Sequence, residues 1–170
     1  MESLDILLSL GSTKYSESQK EIWAHQKNKR YLEYVDKMTK DELLPGVFDF
    51  IGQCKALGCK ISLGSVSKNS SRILERLKIE DLFDYIVDGT CVTNAKPDPE
   101  VFVKSQEYFK FNPKECVVFE DAAAGVEAAL RANMYCVGIG NPEILSDANV
   151  VIPNFVGLRA SDLFCSLQKN

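Results

Sequence analysis

The sequence of 170 residues is short of several things, and each shortage excludes a class of function. It has no long uninterrupted apolar run, so no transmembrane helix is expected. It has no basic tract, and 20 Lys plus Arg against 24 Asp plus Glu leave a net charge of −4. A mildly acidic chain of this kind is a poor partner for nucleic acid or for an anionic membrane surface. A single histidine and six cysteines without one Cys-x-x-Cys pair leave no set with zinc-ligand spacing. Cys116 and Cys136 sit inside apolar runs, where thiols act as small buried hydrophobes. The N-terminus, Met1-Glu-Ser-Leu-Asp5, is acidic where an export signal is basic, and the thiols suit a reducing compartment, so the expected location is the cytoplasm.

What remains is a chain of 45% hydrophobic residues, long enough for one domain or one domain with an appendage. Residues 1 to about 42 carry Leu4, Leu7 and Leu8, then Ile22, Trp23, Tyr31, Tyr34 and Val35, at helical spacing among Lys, Glu and Gln. Gly11-Ser12-Thr13 separates them, predicting two helices joined by a turn. No strand signal precedes residue 59, and this helical piece has too little apolar surface to stand alone.

From Leu44-Pro45-Gly46 the pattern changes. Helices are expected over 47–57, 70–77, 99–109, 122–132 and 162–168, and strands over 59–65, 85–88, 116–120, 135–139 and 150–152. Strands alternating with helices of about a dozen residues point to an α/β fold, a parallel sheet with helices on both faces. Residues 1–42 and 43–170 are therefore read as two parts.

In an open parallel sheet, ligands bind beyond the carboxyl ends of the strands. Three stretches fall there. Gly64-Ser65-Val66-Ser67-Lys68-Asn69 offers hydroxyls, backbone N–H groups and a lysine ahead of a helix, a composition that suits a phosphate. An ordinary strand-to-helix turn capped by Ser or Asn has the same composition. Asn94-Ala95-Lys96-Pro97-Asp98-Pro99 holds a lysine between prolines, able to sit over a phosphoryl group or simply to face solvent. Glu120 and Asp121 end an apolar strand, where adjacent acids either hold a hard cation or cap the next helix.

Taken in this order, a hydroxyl, a lysine and paired acids resemble the haloacid dehalogenase superfamily. The stretches LLPGV, SLGSVSKNSSRILERL, FDYIVDG, AKPDPEVF, VVFEDAAAGVEAAL and VGIG resemble its beta-phosphoglucomutase branch, and YSESQKEIWAHQKNKRYLEYV looks like the second half of that branch's helical cap. The resemblance covers essentially the whole chain. It implies a Rossmann-like sheet carrying a partial cap, and a small-molecule sugar phosphate as partner. It also implies roles: Ser65 and the Val66 N–H on the transferring phosphoryl group, with Lys96 neutralising its charge. Ser67, Lys68 and Asn69 would hold the second phosphate, Lys27 with Asn28 beside it would reach from the cap, and Glu120 and Asp121 would complete a magnesium site. The reaction implied is interconversion of β-glucose 1-phosphate and glucose 6-phosphate through an aspartyl phosphate and a bisphosphate. A sugar-phosphate phosphatase and a non-catalytic binder are the competing expectations.

One departure is large. The family's nucleophile motif, Asp-x-Asp-Gly after the first and central strand, occurs nowhere in the 170 residues. Val87-Asp88-Gly89-Thr90 has one acid after a different strand and reads as a turn. The first half of the cap and its arginine are lacking as well. The expectation is therefore a clipped chain whose Met1 falls inside a cap helix, a sheet without its central strand, and no turnover by these residues alone. Its rival is a short protein with a repacked sheet. The family's intact members are expected to be monomers, whereas a sheet with an exposed interior would favour self-association.

Overall fold

A computed structural model describes residues 15–167 of the chain. The chain divides into two compact units, with the division between Thr39 and Lys40. The expected helix around Leu4, Leu7 and Leu8 lies outside the described residues.

The first unit contributes helix α1, Glu17–Val35. It begins with a capping box: the Ser16 hydroxyl accepts from the Gln19 amide at 3.3 Å, and the Ser16 amide donates back to Gln19 Oε1 at 3.2 Å. Tyr15 meets Trp23 edge to face, 4.8 Å between ring centroids, so Trp23 is used in packing within this unit.

The second unit runs α2 (Val47–Ala56), β1 (Ser62–Gly64), α3 (Ser70–Leu77), β2 (Tyr85–Val87), α4 (Glu100–Phe109), β3 (Val117–Glu120), α5 (Ala123–Arg131), β4 (Tyr135–Ile139), β5 (Val150–Ile152) and α6 (Ala160–Leu167). Strand β1 starts three residues later than the apolar run suggests. The amide of Ile61 is taken by the Asp84 carboxylate at 2.9 Å, so the ladder to β2 opens only at Ser62. Gly58, at φ 81°, ends the turn after α2, and the Cys59 amide reaches back to the Cys54 carbonyl at 3.0 Å.

All pairings are parallel, but the strands form two sheets, β1–β2 and β3–β4–β5. Among the described residues β1 pairs only with β2, and β3 only with β4. The alternation of helix and strand and the parallel pairing are those of the expected α/β fold. The period-2 alternation of the strands distributes side chains to two cores. Val118 and Cys136 join Val101, Phe102, Val126 and Leu145 on the α4–α5 face. Val117, Phe119, Val137 and Ile139 join Phe50, Phe155 and Leu163 on the α2–α6 face. None of the described helices is long and apolar enough to cross a membrane.

Candidate active site

Strand β1 carries its pairing one residue further, through the Ser65 amide to the Val87 carbonyl at 2.9 Å, and then breaks into a tight loop. Two hydroxyls shape that loop. Ser65 Oγ accepts from the Ser67 amide and Ser67 Oγ accepts from the Asn69 amide, both at 3.2 Å. Each is a side-chain turn of the kind serine makes readily. Ser70 Oγ then donates to the Ser67 carbonyl at 2.8 Å as α3 begins. The amides of Val66 and Lys68 bond to none of the described residues, and both side chains are exposed. The loop thus presents backbone N–H groups, a hydroxyl and an ammonium together at a strand end, a set of donors suited to an anion.

The second element is built by Glu100, in the first turn of α4. Its carboxylate accepts from the amides of Thr93 at 2.9 Å and Asn94 at 2.8 Å, and from Lys104 Nζ at 2.9 Å. These donors hold the Glu100 carboxyl far below its ordinary 4.5, at about 2. Asp98 Oδ1 accepts from the Glu100 amide at 2.9 Å, and the Lys96–Pro97 peptide is cis. The loop so fastened delivers Lys96 between the two sheets. Its ammonium donates to the Gly64 carbonyl at the end of β1, at 3.2 Å, and pairs with Glu120 Oε1 at the end of β3. It also stands 4.7 Å from the centroid of the Phe102 ring.

Glu120 is seated as firmly as its partner. A Cβ added at Gly125 would lie 2.1 Å from Glu120 Cδ, so the first turn of α5 is closed over the carboxylate. The Lys96 side chain is 17% exposed and that of Glu120 is 8% exposed. Asp121 is exposed.

Of the residues singled out in the sequence, Ser65, Lys96 and Glu120 therefore converge on the ends of β1 and β3, and Val66, Ser67, Lys68 and Asn69 follow in the adjoining loop. Lys27 belongs to α1, in the other compact unit. A divalent cation does not fit the residues described. Magnesium asks for near-octahedral oxygen coordination. Only Glu120 and Asp121 stand at the end of β3, the first is bonded to Lys96, and no group of three metal-binding side chains occurs among the described residues.

Three participants escaped the sequence reading. Glu100 had a signal, an acid directly after Pro99 at a helix start, next to loop amides in need of acceptors. Gly125, a lone glycine inside an alanine-rich helix, is the kind of residue that marks a close approach. Phe102 gave no sign beyond its place on the apolar face of α4.

Comparison with known proteins agrees with this geometry. The profile of the haloacid dehalogenase-like hydrolases matches residues 4–139. The chain is 38% identical over 153 residues to the beta-phosphoglucomutase of Bacillus subtilis (strain 168), spanning 89% of this chain and 68% of that protein. It is 33% identical over 136 residues to a phosphorylated carbohydrates phosphatase of Thermotoga maritima, spanning 79% of this chain and 57% of that one. Among solved structures, beta-phosphoglucomutase from Clostridium difficile superposes with a TM-score of 0.90 at 38% identity, over 99% of this chain and 76% of that one.

Proposed function

Because this chain belongs to the haloacid dehalogenase-like hydrolase family, we propose that it handles sugar phosphates in the manner of beta-phosphoglucomutase. The reaction would be the interconversion of β-glucose 1-phosphate and glucose 6-phosphate. The observation that supports this best is the meeting of the Ser65–Asn69 loop with Lys96 at one strand end.

In this reading the Ser65 hydroxyl and the Val66 amide hold the transferring phosphoryl group. Ser67, Lys68 and Asn69 hold the sugar's other phosphate. Lys96 waits with its charge balanced by Glu120. An arriving phosphate draws on an ammonium whose position is already fixed, which lowers the cost of reorganisation when charge develops. Covalent transfer requires a carboxylate nucleophile with an acid/base partner, and no Asp-x-Asp segment stands in these 170 residues. The chain by itself therefore binds without turning over. Magnesium, which the family resemblance brings, would need oxygen ligands beyond Glu120 and Asp121.

Two experiments test this. Titration of the ¹⁵N-labelled chain with glucose 6-phosphate should shift the amides of Val66, Ser67 and Lys68, and a spectrum that stays still there would remove the binding site. A version carrying an Asp-x-Asp segment ahead of residue 1 should make glucose 6-phosphate from β-glucose 1-phosphate, given magnesium and a bisphosphate primer. Release of free phosphate without glucose 6-phosphate would favour the phosphatase reading, which the similarity to the Thermotoga protein supports.

A further inference from the structure

The turn after β2 does more than reverse the chain. Asp88 is buried, 7% exposed, and its Oδ1 accepts from both the amide of Thr90 at 2.8 Å and its hydroxyl at 2.6 Å. The Cys91 amide closes the turn on the Asp88 carbonyl at 2.9 Å. The Thr90 donors hold the Asp88 carboxyl below its usual range, so the turn is fastened at neutral pH by an ionised acid.

Gly89, held in that turn, lies directly under the Ser65–Asn69 loop. Its amide donates to the Ser67 carbonyl at 3.1 Å. A Cβ at this position would stand 2.2 Å from the Val66 carbonyl oxygen, and 2.9 Å from both the Lys68 nitrogen and the Ser67 carbonyl carbon. All three neighbours are backbone atoms, which cannot rotate aside as the end of a side chain can. Gly89 is also not among the glycines with positive φ. Its requirement is for space and not for a left-handed backbone.

We propose that Gly89 is a positioning residue: the turn Asp88–Cys91 forms the floor on which residues 66–68 rest, and the bare Cα at 89 sets where the Val66 and Lys68 amides stand for an incoming phosphate. The inference rests on the anion-binding reading of that loop. Ser67 O is the joint, because it receives the Gly89 amide from below and the Ser70 hydroxyl from α3. Any side chain at 89 pushes the loop away from the floor and carries both amides with it.

The test is a titration of the whole chain with inorganic phosphate, read by amide shifts at 66–68, for wild type, Gly89→Ala, Thr90→Val and Gly52→Ala. A hydrogen bond to a charged group is worth about tenfold or more in affinity, so moving the Val66 and Lys68 amides off the anion by Gly89→Ala should weaken phosphate binding by roughly tenfold or more. Thr90→Val removes the hydroxyl donor to Asp88 and should weaken binding by a smaller factor, about twofold to fivefold. Gly52, in α2, has open space where its Cβ would go, and Gly52→Ala should bind as wild type does. Wild-type affinity in a folded Gly89→Ala protein overturns the inference while leaving the anion site intact. If Gly89→Ala does not fold, unchanged affinity in Thr90→Val overturns it instead. If phosphate moves no amide at 66–68 in the wild type, the anion-binding reading falls, and this inference falls with it.

Discussion

Lys96 and Glu120 form a pair whose removal can be reasoned through quantitatively. Lys96→Met keeps the length of the side chain and deletes its charge. Glu120 is then left as a carboxylate 8% exposed, closed in by Gly125, with no cation against it. Breaking a buried pair from one side costs about 3–5 kcal/mol, because the stranded charge retains its desolvation penalty. For a chain of this size that lowers the melting temperature by about 6–20 °C. Glu120→Gln is milder, at about 1–3 kcal/mol, since the amide fits the same seat and Lys96 keeps the Gly64 carbonyl and the Phe102 ring. In the double variant no charge is stranded. Its cost should therefore fall below the sum of the two singles by about 2 kcal/mol. Urea unfolding followed by circular dichroism at neutral pH gives all four corners of the cycle. Additivity within about 0.5 kcal/mol, or a Lys96→Met cost below about 1 kcal/mol, would refute the reasoning.

Three further outcomes are expected. Leu145 is 1% exposed beneath Gly138, and Leu145→Ala should cost about 2–5 kcal/mol in the same unfolding assay. The ionised Glu100 ties Thr93 and Asn94 to α4, so its contribution is complete above pH 4.5, the ordinary value of the group, and is lost as pH falls toward about 2. A carbon-detected titration of Glu100 with a midpoint at 4 or higher would contradict that. Burial pushes the Cys54 thiol up to about 11 and the Cys136 thiol up to about 12, while Cys91 and Cys165 are exposed. A disulfide reagent at pH 8 should modify the exposed pair first and reach Cys54 and Cys136 only on unfolding, as mass spectrometry of the labelled peptides will show.

The alternation of strand and helix was legible because each element carries its own period. Tyr135–Ile139 and Val150–Ile152 have the bounds expected from their apolar runs, and α3 begins and ends where its pattern does. Local signals failed where a distant partner decides. Nothing near Ile61 announces that Asp84 will take its amide and delay β1. At the site, composition points to Ser65, Lys96 and Glu120 but not to their relation, because the pairing of Lys96 with Glu120 joins a loop to a strand end 24 residues away. The turn at Asp88-Gly89 is visible in the sequence. Its burial under residues 66–68 depends on two strands lying side by side, a fact of the register of β1 and β2 that no single segment records.

The division of the strands into two ladders also has a bearing on how this protein breathes. A continuous ladder makes neighbouring strands open together, because each shares its peptide bonds with the next. Among the described residues the boundary between Gly64 and Glu120 is spanned by the Lys96 head-group and by apolar contacts in both cores. The expectation is that two ladders joined in this way open separately in local unfolding. Protons on the β1–β2 amides and on the β3–β5 amides should then exchange with water as two populations with distinct opening energies. The ammonium of Lys96 stands on the border between them, so whatever engages that ammonium also sets how tightly one half of the molecule is fastened to the other.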